Sequence, residues 1–222
     1  MSKETFQQNI THPKDPGSAI THFIGVILVI LAALPLLFRA IQGEHPVYIV
    51  SLCIFVVSMF LLYSSSTLYH TFNLSAKVNL RLRKLDHMMI YVLIAGTYTP
   101  ICLISLQGAG GTSLFFLVWA VALLGIIQCV FFINCPKWVS ALIYIIMGWL
   151  CIFSFDDITA LLNKGAFGWL LAGGIIYTIG GIIYACKFPV FNRLHKNFGS
   201  HEIFHCFVLA GSLCHFVTMY CI

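Results

Sequence analysis

Seven stretches of this chain are too long and too apolar for a water-soluble domain of its size. They cover 19–41, 46–71, 86–106, 112–133, 138–154, 166–187 and 201–221. A helix needs about 20 apolar residues to cross the hydrocarbon of a bilayer, and each stretch is read as one crossing. Loop and turn formers fall between them: Gly43 to Pro46, Gly108 to Gly111, Pro136, the Asp156/Asp157 pair and Pro189. The fifth stretch is the shortest, so its limits are the least marked. Composition agrees: 60% of the residues are hydrophobic, 9% are charged, and the mean hydropathy is +0.96. No soluble fold can cover that much apolar surface with so few polar residues. The expectation is an all-α integral membrane protein, a seven-helix transmembrane bundle.

Residues 1–18 are polar and include Pro13, Pro16 and Gly17. They lack the charged-then-apolar order of a cleaved signal. The domain reading is therefore a short tail, 1–18, followed by one transmembrane domain, 19–222. Short loops rich in Lys and Arg face the cytoplasm. Threading the seven spans puts Lys3, Lys14, Lys77, Arg81, Arg83, Lys84, Lys137, Lys187, Arg193 and Lys196 on one side, against Arg39 and Lys164 on the other. That bias predicts an N-terminus in the cytoplasm, a C-terminus outside, and a multi-pass protein of the cell membrane. No basic face or motif suggests nucleic-acid binding. The nine cysteines are scattered through the apolar runs without a C-x-x-C pair. They read as small buried hydrophobes rather than disulfides or thiolate ligands.

Ionisable residues within spans are costly in lipid and mark function. Here they gather at one depth. Ser18 and His22 open the first span, Ser66 and His70 close the second, Asp86 and His87 open the third, and His201, Glu202 and His205 open the seventh. In the threaded orientation all of these ends are cytoplasmic. His201 and His205 are four apart and share a helix face. Such a pair can bind one Zn²⁺ with a third ligand from elsewhere, for which His70 is the obvious donor, with Asp86 holding a bound water. His12, His45 and His195, in the tail or loops, read as ordinary polar surface.

The segment His201-Glu202-Ile203-Phe204-His205 also matches H-E-x-x-H, in which the Glu is a metalloprotease base. Only seventeen residues follow His205, none of them acidic. The downstream acidic ligand of a soluble protease of that kind is therefore missing, which leaves two readings of Glu202: an acid facing the site, or a helix-start acid that favours the dipole, the second preferred.

Taken together, Ser66-Thr67-Leu68-Tyr69-His70, Leu85-Asp86-His87 and His201 to His205 followed by His215 resemble the motifs of the hemolysin III family. That family is the bacterial branch of the progestin and adipoQ receptor superfamily and is similar to the alkaline ceramidases. The resemblance runs from about Pro16 to the C-terminus. It implies seven helices with the N-terminus inside, and a zinc ion held by His70, His201 and His205 with Asp86 reaching it through water. Ser66 would sit beside that water. Two positions depart from the eukaryotic receptors: Ser18 stands where they tend to carry Asn, and His87 stands where they carry an aromatic.

Two functions follow as expectations. One is a zinc-dependent intramembrane hydrolase of a lipid amide or ester, with Asp86 and Ser66 catalytic and membrane lipids as both solvent and substrate. The other is a non-catalytic membrane-homeostasis or sensor protein with a structural zinc. A cytolytic pore finds little support, because His215 is the one ionisable residue deeper in the spans, about 15 Å beyond His205 by helical rise. Gly173-Gly174 and Gly180-Gly181 are expected to permit close helix packing. Oligomeric state is not legible in this pattern.

Overall fold

The computed structural model describes residues 12–43, 45–108, 110–186 and 198–222. His195, Pro189, Lys3, Lys187, Arg193 and Lys196, and most of the 1–18 tail, lie outside the described residues. Seven helices long and apolar enough to cross a membrane are present: α1 (Pro16–Gln42), α2 (Pro46–Thr71), α3 (Ala76–Ser105), α4 (Gly111–Phe131), α5 (Lys137–Leu161), α6 (Lys164–Cys186) and α7 (Ser200–Cys221). No strand occurs among the described residues. Large apolar side chains such as Leu34, Phe38, Phe116, Phe131, Ile152, Phe153 and Leu213 cover the outside. Many serines, threonines and histidines, among them Ser51, Ser66, Thr99, Thr218, His70 and His205, are buried inside instead. A soluble monomer does not carry apolar surface on that scale, whereas in lipid it is the expected exterior. The chain is a multi-pass membrane protein.

Proline starts α1 and α2, where its missing N–H costs nothing. Consecutive helices pack as neighbours from α1 to α4, and α5 packs on α6, α6 on α7 and α7 back on α1. The weakest seam of the resulting ring is between α3 and α5. Asn163 at the start of α6 donates to the carbonyl of Cys221, and the Arg39 guanidinium lies over the Tyr220 ring. These contacts hold the end of α1, the start of α6 and the end of α7 together, at the end of the bundle opposite the histidines.

Two limits differ from the sequence expectation. The third span begins ten residues before 86, at Ala76, so Lys77, Arg81, Arg83 and Lys84 belong to its first turns rather than to a loop. Cations at a helix N-terminus oppose its dipole. Here Lys84 donates to Val130 O in the last turn of α4, and Arg83 to Ile133 O at 3.4 Å in the turn just beyond it. The Val130 carbonyl belongs to the negative end of the α4 dipole, which favours the Lys84 charge there. The fifth span is likewise longer than 138–154. After Gly148 it tightens into a 3₁₀ turn over Leu150–Ser154 and resumes as a helix at Phe155–Leu161, so Asp156 and Asp157 lie in a helix rather than a break. The switch frees backbone groups that lipid cannot satisfy. The Tyr98 hydroxyl takes up both, donating to Gly148 O at 2.6 Å and accepting from Cys151 N–H at 2.9 Å.

All nine cysteines are free thiols, three buried, three half-buried and three exposed on the outside. Of the two glycine pairs in α6, Gly173 and Gly180 press on α7 and Gly181 on α5, while Gly174 faces open space.

Candidate metal centre

His70 sits one residue before the end of α2, and His201 and His205 occupy the first two turns of α7. Helical spacing puts His201 and His205 on one face, and α2 closes against it. One nitrogen from each of the three rings lies within 4.8 Å of the other two. His70 Nε2 and His201 Nε2 are 3.3 Å apart, and the rings of His201 and His205 are 4.6 Å between centroids. Two nitrogens each ~2.0–2.1 Å from a single ion at the tetrahedral angle are themselves about 3.3–3.4 Å apart. The His70–His201 separation is therefore that of two ligands on one metal ion. His70 and His205 are both only 2% exposed, and imidazoles so placed suit Zn²⁺, Fe, Ni or Cu.

The far nitrogens settle which atoms can bind. His70 Nδ1 is 2.9 Å from Asp15 Oδ2, and a carboxylate can only accept, so Nδ1 carries a hydrogen and, in the neutral ring, Nε2 keeps its lone pair. Thr21 Oγ1 donates to the Gly17 or Ser18 carbonyl and can accept from His205 Nδ1 at 3.3 Å. That leaves His205 Nε2 free in the same way. His201 Nδ1 is buried without a hydrogen-bond partner among the described residues. His22 adds no close donor to the group. It stacks flat on His205, 3.7 Å between centroids, and both of its own nitrogens are unpartnered.

Asp86 and Ser66 stand beside the three histidines rather than among them. Asp86 is 7% exposed, and its Oδ2 is 3.4 Å from His87 Nδ1, a contact outside hydrogen-bond geometry. Ser66 is 1% exposed, and its hydroxyl has no partner among the described residues. Buried hydroxyls normally find a partner, so the Ser66 hydroxyl has hydrogen-bonding capacity to spare. Both residues, with His201 and His205, line one end of a cavity of about 240 Å³ between α3, α5, α6 and α7. The cavity runs past Leu93, Tyr98 and Val208 to Phe155, Ile158 and Phe167 at the opposite end. His215 lines its deep half, where Tyr63 donates to Ser212 at 2.6 Å and Tyr177 lies 2.8 Å from the same hydroxyl.

Glu202 is occupied elsewhere. One carboxylate oxygen accepts from the Gly199 N–H at 2.8 Å and the other from the Ser18 hydroxyl at 2.6 Å. It therefore caps α7 and ties it to α1, which also explains the place of Ser18. The sequence pattern pointed to neither Asp15 nor Thr21. A lone acid before a helix-starting proline has no periodicity, and its partner His70 is 55 residues away.

The comparisons with known proteins fit this arrangement. The family model described as "Haemolysin-III related" matches residues 10–216. The chain is 42% identical over 214 residues to a "Hemolysin-3 homolog" of Bacillus subtilis (strain 168), covering 96% of each chain. It is 42% identical over 196 residues to "Hemolysin-3" of Bacillus cereus, covering 88% of this chain and 85% of that one. A shorter match, 34% identical over 79 residues, is to the "ADIPOR-like receptor IZH2" of Saccharomyces cerevisiae, covering 34% of this chain and 24% of the yeast protein. This agrees with the wider progestin and adipoQ receptor superfamily. With seven apolar spans and a three-histidine group that could hold a metal ion, the chain belongs to the haemolysin III-related family.

Proposed function

We propose that this protein is a zinc-dependent intramembrane hydrolase of a lipid amide or ester, active at the cytoplasmic face and acting in membrane lipid homeostasis. One observation carries the reading: two members of the three-histidine group, His201 and His205, line an apolar cavity whose wall also holds a buried carboxylate and a hydroxyl without a partner among the described residues. Three histidines leave a coordination position open, as in catalytic rather than closed structural zinc sites. Zinc bound there would supply Lewis acidity, polarising a carbonyl and acidifying water. His70, His201 and His205 would hold it through ring nitrogens. Asp86, as a carboxylate, would orient the attacking water and accept its proton. The Ser66 hydroxyl would hold that water, or the substrate carbonyl, by a hydrogen bond. The apolar length of the cavity would take one acyl chain and exclude bulk water. The cytoplasmic placement rests on the Lys/Arg asymmetry of the loops.

A second reading is favoured by one feature: the three histidines join α2 to α7 without α3, as a structural clamp would require. Asp86→Asn separates the two. The test is turnover of a panel of labelled ceramides and phospholipids by zinc-loaded protein. The hydrolase reading expects Asp86→Asn to keep the metal and lose turnover by about 10²-fold or more. A panel that wild-type protein leaves untouched, with zinc bound, would move the account to the clamp.

A further inference from the structure

The start of α1 supplies no ligand, yet it is built around the site. Asp15 stands at the N-cap of α1, where an Asp side chain usually accepts from the first free N–H groups. Its side chain makes no such bond. The carboxylate is turned instead to His70 Nδ1 at 2.9 Å, while the Asp15 N–H donates to His70 O at 2.9 Å and the Lys14 N–H to Thr71 O at 3.2 Å. Residues 14 and 15 thus form a backbone strap over the end of α2, and the Lys14 ammonium lies over the Tyr69 ring at 3.5 Å. The strap fixes where the carboxylate stands whether or not the side chain is used. The Asp15 side chain is 42% exposed and its Oδ2 also lies 3.6 Å from the Lys14 ammonium.

We propose that Asp15 is a positioning residue of the metal centre: its carboxylate fixes the ring and tautomer of His70, so that Nε2 is the metal donor. This rests on the metal reading of the three histidines. Metal-bound histidines generally donate their other N–H to a carboxylate or carbonyl, and losing that partner weakens metal binding by about 10–100-fold. The role comes from tertiary contact alone, since Asp15 belongs to the tail and His70 to the far end of the next helix. No helical cap is lost on removing the side chain, and the strap's two backbone bonds do not involve it.

The test uses full-length protein in detergent, titrated with zinc against a competing chelator. Wild type, Asp15→Ala and Asp15→Glu are compared, with ¹⁵N-histidine spectra of the metal-free proteins. The expected result is a 10–100-fold weaker zinc affinity for Asp15→Ala, with an unchanged thermal midpoint and most of the affinity restored by Asp15→Glu. His70 should show the Nδ1–H form in wild type and lose it in Asp15→Ala. Equal zinc affinity in wild type and Asp15→Ala overturns this inference and leaves the metal centre standing. No zinc bound by wild type overturns the metal reading itself, and the outer role of Asp15 falls with it.

Discussion

Adjacent glycines of α6 should respond oppositely to the same added methyl group. A Cβ at Gly173 would lie 2.8 Å from both Cε1 and Nε2 of His215, and one at Gly174 would meet nothing within 4 Å. Non-bonded heavy atoms sit comfortably at ~3.5–4.0 Å, so the methyl at 173 intrudes by about 0.7–1.2 Å. His215 is 5% exposed and packs against the Tyr177 ring, so it can retreat only into the cavity that it lines, and at the cost of that contact. The helices are equally close two turns further along the same face, where a Cβ added at Gly180 would lie 2.7 Å from Phe207 Cβ. Overpacking of this kind costs about 1–3 kcal/mol. Both changes share the same gain from a less flexible unfolded chain and a better helix former. Their difference therefore isolates the packing cost. The assay is reversible unfolding in mixed micelles titrated with SDS. Gly173→Ala should be about 1–3 kcal/mol less stable than Gly174→Ala. Equal midpoints would refute the claim that α6 and α7 are held at glycine distance.

The remaining predictions are brief. Tyr98→Phe leaves the Gly148 carbonyl and the Cys151 N–H without their shared partner. Each lost bond costs about 1–3 kcal/mol. Hydrogen exchange over residues 148–154 should accelerate, and unchanged protection would show that the hydroxyl does not support the 3₁₀ turn. Glu202→Gln should keep zinc and lose no more than a few-fold in turnover, because both carboxylate oxygens are engaged in capping and in the bond from Ser18. A loss of about 10²-fold or more would return Glu202 to a general-base role.

What was legible in the sequence was whatever has a period or a length. Seven spans show in apolar runs, and His201 with His205 shows in their spacing of four. The start of α3 did not show, because Lys77, Arg81, Arg83 and Lys84 look like a loop until α4's carbonyls are seen beside them. The continuation of α5 through Asp156 did not show either, since its turn is supported by Tyr98, 50 residues earlier than Gly148. The same holds at the site. Asp15 and Thr21 act through partners on other helices, and no local pattern records a tertiary hydrogen bond. Of the paired glycines, sequence could not tell Gly173 from Gly174, because only the crossing of α6 and α7 decides which of them is crowded.

The central claim is that His70, His201 and His205 form a metal centre. Metal content by mass spectrometry, on protein purified in detergent without chelator, tests it most directly. The account predicts about one zinc per chain in wild type, lost in His201→Ala/His205→Ala while the helical content is kept. Wild-type protein that is folded and metal-free would contradict it.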